Sequence, residues 1–71
     1  MKKILNSKLL QFGQKVKQAR LKVNLTQEEL AAFVNCDVRT IQNIEAGRAN
    51  VTLKKIYALC ESLGVKPGDL L

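Results

Sequence analysis

Leu9, Phe12, Val16, Ala19 and Val23 recur at spacings of three, four, three and four, and polar residues, mainly lysines and glutamines, fill most positions between them. That rhythm puts the five on one face of a helix and predicts a first helix from about Ser7 to Lys22. Gly13 inside it costs up to about 1 kcal/mol relative to Ala, which implies either a close helix contact or a fraying first turn there. Asn24 then ends the helix, since Asn tolerates the left-handed conformation of a residue just past a helix end. Thr26-Gln27-Glu28-Glu29 reads as a capping box, with Leu25 and Leu30 placed to close a hydrophobic staple over it. The second helix it opens buries Leu30, Ala31 and Val34 and ends at Asn35. Asp37 caps a short third helix with Ile41 and Ile44 inside and Gly47 as its stop. Thr52 caps a fourth, about Leu53 to Leu63, whose inward positions are Leu53, Ile56, Leu59, Cys60 and Leu63, and Gly64 terminates it. Pro67 at a first helical position allows one more turn. With no strand pattern, repeat or linker, the chain reads as all-α and as one domain over 1–71.

Composition removes most chemistry. At 71 residues only one core is available, and a chain of this size buries about 60% of its unfolded surface. There is no His, and Cys36 and Cys60 form no C-x-x-C pair, so no four-ligand zinc site and no Ser-His or Cys-His nucleophile can be assembled. No metal, cofactor or enzymatic activity is expected. Cys60 falls on the apolar face of helix 4 as a core residue, and Cys36 is placed to staple onto Ile41. Met1-Lys2-Lys3-Ile4-Leu5 imitates the start of a signal peptide, but Asn6, Ser7, Lys8 and Gln11 interrupt any apolar stretch after it. The longest apolar run, Leu30 to Val34, is far short of the roughly 20 residues of a membrane span. A soluble, cytoplasmic protein with free thiols is expected.

Charge turns the reading towards nucleic acid. Twelve basic residues face six acidic ones, for a net charge of +6. Lys2, Lys3, Lys8, Lys15, Lys17, Arg20 and Lys22 all precede residue 25 without one acid among them. Clustered cations displace the counterions condensed on a phosphate backbone, although small domains also carry lysines for solubility alone. On helix 3, burying Ile41 and Ile44 turns Val38, Arg39, Gln42, Asn43 and Ala46 outward, with Thr40 at the edge. Arg matches O6 and N7 of guanine, Gln or Asn matches N6 and N7 of adenine, and Val or the Thr methyl packs on the thymine methyl. Val38, Arg39, Thr40, Gln42 and Asn43 are therefore the candidate base contacts, in a set that also suits an ordinary polar surface.

The spacing of Gln27, Ala31, Asn35, Ile41 and Ile44 weighs against the ordinary surface. Leu25-Thr26-Gln27-Glu28-Glu29-Leu30-Ala31, Thr40-Ile41-Gln42-Asn43-Ile44-Glu45-Ala46-Gly47 and Leu63-Gly64-Val65 together resemble the helix-turn-helix of the Cro/CI and xenobiotic-response-element family of regulators. The resemblance runs from about Phe12 to Leu71. It implies a compact five-helix bundle, lambda-repressor-like, that places helix 3 in the major groove and binds a palindromic operator as a homodimer. It also implies phosphate contacts from Gln27, Thr26, Arg48, Asn50 and Lys54, with Gln27 bracing the recognition helix as well, and a structural ion pair between Arg20 and Glu45. Leu70 and Leu71, which one short turn cannot both cover, are expected at the dimer interface. Residues 1–6 are expected as a mobile basic arm in which Lys2 and Lys3 either enter a minor groove or stay solvated. Two departures stand out: Asn35 replaces the usual Gly of the turn, and Val51 replaces a frequent Pro before helix 4. The expected function is sequence-specific binding of double-stranded DNA that represses transcription. The alternative is the antitoxin of a toxin-antitoxin pair, which binds a protein partner and its own promoter.

Overall fold

The computed structural model describes the backbone of residues 2–71 and the side chains of residues 5–71. Five helices follow one another, α1 (Lys2–Lys22), α2 (Gln27–Phe33), α3 (Val38–Glu45), α4 (Leu53–Leu63) and α5 (Pro67–Leu70), with no strand among the described residues. The helix-turn-helix is α2 and α3, and α3 packs against both α1 and α2.

The helix ends share one device. Asn24, Asn35, Gly47 and Gly64 all adopt positive φ, at 59°, 58°, 75° and 68°. The amide following each one donates five residues back, Leu25 to Arg20 O, Cys36 to Ala31 O, Arg48 to Asn43 O and Val65 to Cys60 O, at 2.9–3.1 Å. This left-handed closure satisfies carbonyls that would otherwise be orphaned at a helix end. Asn35 performs it where the related pattern has Gly, so that departure leaves the turn intact.

The capping box is formed in both directions. The Glu29 amide donates to Thr26 Oγ1 at 3.0 Å, and the Thr26 amide donates to Glu29 Oε1 at 2.9 Å. Thr52 caps α4 by accepting from the Lys55 amide at 3.1 Å. Asp37 departs from expectation: its backbone takes the extended N-cap conformation, but its side chain makes no capping hydrogen bond. Pro67 opens α5, whose single turn is closed by the Lys66 amide donating to Asp69 Oδ2 at 2.9 Å.

Phe12, Val16, Leu30, Ala31, Val34, Ile41, Ile44, Leu59, Cys60, Leu63 and Leu70 form the core, and Cys36 packs against its edge. Burial pushes the Cys60 thiol up from its ordinary value, helped by the charge of Asp69.

Several expectations are corrected. α1 starts at Lys2 rather than Ser7, because Lys, Ile and Leu propagate an existing helix at little cost. The segment expected as an arm is thus helical from residue 2, while Met1 and the side chains of Lys2 and Lys3 lie outside the described residues. Val23 and Leu53 do not reach the core, being 46% and 64% exposed. Val23 falls past the last residue of α1, and Leu53 is the first residue of α4, ahead of its buried stretch. Leu70 and Leu71 part company: Leu70 is sealed in the monomer's own core at 1% exposure, and Leu71 is 67% exposed. Leu70 is therefore not available to a dimer interface.

Candidate DNA-binding interface

The position of α3 is set by what lies behind it. Gly13 is the close contact rather than a frayed turn: a Cβ there would collide with the carbonyl oxygen of Ile44 and come within 2.8 Å of that of Glu45. The last turn of α3 thus lies against the backbone of α1. Past its end, Gly47 combines a positive φ with a second tight approach, in which a Cβ would sit 2.8 Å from Leu10 Cα.

The side chains then lock this crossing. Arg20 Nε donates to Glu45 Oε2 at 2.7 Å and Nη2 to Glu45 Oε1 at 3.0 Å, while Nη1 donates to the Leu25 carbonyl at 2.8 Å. Gln27 Nε2 donates to the same Glu45 Oε1 at 3.1 Å. One carboxylate at the end of α3 therefore holds α1 and the first residue of α2, and Arg20 holds the loop between those two helices. Arg20 and Glu45 are both buried, and their charges are tolerated because each is paired in two-point geometry with its remaining polar atoms satisfied. The Arg20 pKa is raised, chiefly by the hydrogen bond to Glu45, which outweighs the opposing effect of burial. The expected ion pair is present, and the bracing expected of Gln27 takes the form of this hydrogen bond.

Held in this way, α3 presents Arg39, Gln42 and Ala46 to solvent, with Thr40 and Asn43 half-buried beside them. Val38 is the exception among the expected base contacts, since it is half-buried and packs partly on the core. Only its outer edge is open to a thymine methyl.

The residues expected at phosphates lie on the elements that precede and follow α3 in the chain. Arg48, Asn50 and Lys54 are exposed on the α3–α4 loop and the first turn of α4, and Thr26 is exposed at the cap of α2. The Thr26 oxygen is occupied as an acceptor by the Glu29 amide, which leaves its O–H free to donate. Gln27 is half-buried with its amide nitrogen on Glu45.

Lys55 was missed in the sequence. Its Nζ donates to the Val34 carbonyl at 3.3 Å, tying the first turn of α4 to the end of α2 across a cleft of about 270 Å³ bordered by Asn35, Thr52 and Lys54. A signal existed in the unpaired carbonyls that every helix C-terminus leaves in search of a donor. Nothing in the spacing separated Lys55 from its neighbour Lys54.

A short helix anchored from behind by a buried ion pair, joined by a tight turn to a capped helix, and carrying Arg, Gln and Asn outward amid exposed cations, defines a helix-turn-helix DNA-reading unit. The profile of the helix-turn-helix family matches residues 16–70, and the chain belongs to that family of Cro/CI-type DNA-binding transcriptional regulators. It is 51% identical to the control protein C.BamHI of Bacillus amyloliquefaciens, over 93% of this chain and 83% of that protein. It is 33% identical to the control protein C.MunI of Mycoplasma sp, over 93% and 90% of the two. Among solved structures, the restriction-modification controller protein C.AhdI from Aeromonas hydrophila superposes with a TM-score of 0.88 at 32% identity, covering 92% of this chain and 98% of that one. That family is one of transcriptional regulators rather than enzymes, and this chain is a member of it. No helix among the described residues is long and apolar enough to cross a membrane.

Proposed function

We propose that the chain is a cytoplasmic controller of restriction-modification genes that binds a palindromic operator as a homodimer and represses the promoter it occupies. α3 lies in the major groove, where Arg39, Gln42 and Asn43 read base edges, with Thr40 and the outer edge of Val38 beside them. Thr26, Gln27, Arg48, Asn50 and Lys54 grip the phosphates on either side and set the docking angle. The observation that carries this reading is the outward polar face of α3 fixed from behind by the Arg20–Glu45–Gln27 network. A rigidly placed helix turns side-chain geometry into base discrimination, because small errors in docking forfeit bidentate hydrogen bonds.

Dimerisation is supported by apolar surface that one subunit leaves open. Leu53 and Tyr57, one turn apart on α4, and Leu71 at the end of α5 are each more than half exposed. A two-fold axis through such a surface repeats every contact and sets two recognition helices about 34 Å apart, one turn of duplex. The restriction-modification context rests on C.AhdI and on the kinship with C.BamHI and C.MunI. The antitoxin reading has no observation in its favour.

Selection from random duplex DNA, followed by sedimentation of the protein on the selected site, tests the proposal. A two-fold symmetric site bound by two subunits is expected. Enrichment of no sequence, or one subunit on an asymmetric site, would overturn it.

A further inference from the structure

The turn after α1 leaves apolar surface uncovered on the side of that helix away from α3. Leu21 and Val23 are 54% and 46% exposed, and with Val65 they border an open groove of about 940 Å³ between the end of α1 and the α4–α5 connection. Buried Leu63 and Leu70 form part of its floor. The rim is basic: Lys15 and Lys22, seven residues apart and so on one side of α1, stand along it with Gln18 between them. Among the described residues neither lysine is ion-paired. The one acid at the groove, Asp69, accepts from the Lys66 amide at 2.9 Å. Lys15 and Gly13 are two residues apart, about 200° around a helix, so the groove and the α3 crossing lie on nearly opposite sides of α1.

We propose that this groove docks an acidic amphipathic segment of a partner protein while α3 is on DNA. Its apolar side chains lie on Leu21, Val23 and Val65, and its carboxylates meet Lys15 and Lys22. The occupant follows from the chemistry of the surface. A phosphate backbone gains nothing from an apolar floor. A second copy brought in on a two-fold axis would gather four unpaired lysines, Lys15 and Lys22 of each copy, against only the two copies of Asp69, and that excess of like charge opposes association. An acidic helix with an apolar stripe satisfies floor and rim together.

The probe is a synthetic peptide with leucines at helical spacing and glutamate at most other positions, titrated into the isotope-labelled full chain and followed by amide chemical shifts. Its counterpart carries lysine in place of glutamate. The acidic peptide is expected to move the amides of Lys15, Lys22, Val23 and Val65 and to bind more weakly as salt rises. Lys15→Glu with Lys22→Glu is expected to cost it about tenfold or more in affinity, and to let the lysine peptide bind instead. Both positions are exposed, and a thermal melt of the double variant checks that it folds. Unmoved groove amides, or equal binding by the double variant, would overturn the proposal. So would concentration-dependent shifts of the groove amides in the protein alone, which assign the groove to a second copy, or shifts of the same amides on adding random duplex DNA, which assign it to nucleic acid.

Discussion

Gln27 and Glu45, eighteen residues apart, are joined across the helix-turn-helix by a 3.1 Å hydrogen bond onto the carboxylate oxygen that also receives Arg20 Nη2. The first residue of α2 therefore reports directly on the last residue of the recognition helix. Losing Gln27 still leaves Glu45 paired with Arg20, so Gln27→Ala is expected to cost only about 1 kcal/mol of stability. Its effect on operator affinity should be larger than that cost, because the docking angle of α3 is lost with it. Glu45→Ala strands a buried guanidinium and should cost about 3–5 kcal/mol, enough to unfold much of so small a domain. Denaturant melts of both variants, beside operator titrations of the Gln27 variant, separate bracing from folding.

Arg39→Ala and Asn43→Ala should each weaken binding to the selected operator by about 1–3 kcal/mol and leave binding to random DNA nearly unchanged. Arg39 is exposed and Asn43 half-buried on the outward side of α3, clear of the core. Equal losses on both DNAs in a mobility-shift titration would reassign the pair to phosphate contact.

Arg48→Ala should act in the opposite manner, lowering affinity for every sequence. Its side chain is exposed on the loop after α3, and its amide closes that helix by donating to Asn43 O at 2.9 Å. Removing one phosphate contact should reduce the slope of log affinity against log salt by about 1. Titrations at several salt concentrations check this, and an unchanged slope excludes Arg48 as a phosphate ligand.

The parts of this molecule legible in the sequence are those governed by local rules. Thr26 with Glu29, the stops at Asn24, Asn35 and Gly64, and Pro67 at the head of α5 are each decided by a few neighbouring residues, and each is formed. The Arg20–Glu45 pair came from family resemblance, since nothing local links residues 25 apart. Periodicity failed at element ends. It counted Val23 and Leu53 as core because it carries no record of where the opposing helix stops, and it left Leu70 and Leu71 undistinguished because one turn has no measurable period. The bracing by Gln27 came from the same resemblance, although its partner, Glu45, did not; that choice and the Lys55 bond to Val34 O depend on how whole helices cross, which no spacing in the chain encodes.

The two thiols should differ in reactivity. Cys60 is buried, and its thiol is pushed up by burial and by Asp69, whereas Cys36 is half-buried at the edge of the core. Iodoacetamide should modify Cys36 first and Cys60 only on unfolding, as peptide mass spectrometry after timed quenching will show. A thiol held above its unfolded value contributes its full stability below that value, near pH 8.5, and loses it as pH rises towards the folded one. Replacing Cys60 with Ala should therefore flatten the alkaline fall of stability between pH 8 and 10, roughly the window in which an ordinary thiol ionises.

Leu70 and Leu71 make the sharpest contrast, because neighbouring residues carry opposite assignments. Leu70 is 1% exposed and packs with the core cluster that includes Leu59 and Leu63. Truncating such a side chain removes its burial and leaves a cavity, so Leu70→Ala should destabilise the monomer by about 2–5 kcal/mol. Leu71 is 67% exposed and contributes little to that core, so Leu71→Ser should leave monomer stability within about 0.5 kcal/mol. If Leu71 is covered by a second subunit, the same change removes apolar contact twice over in each dimer. It should then raise the dimer dissociation constant and weaken operator binding together. Sedimentation equilibrium beside denaturant melts distinguishes the two residues. A Leu71→Ser protein that dimerises as tightly as the parent would place the subunit contact elsewhere, with exposed Leu53 and Tyr57 on α4 the next positions to change.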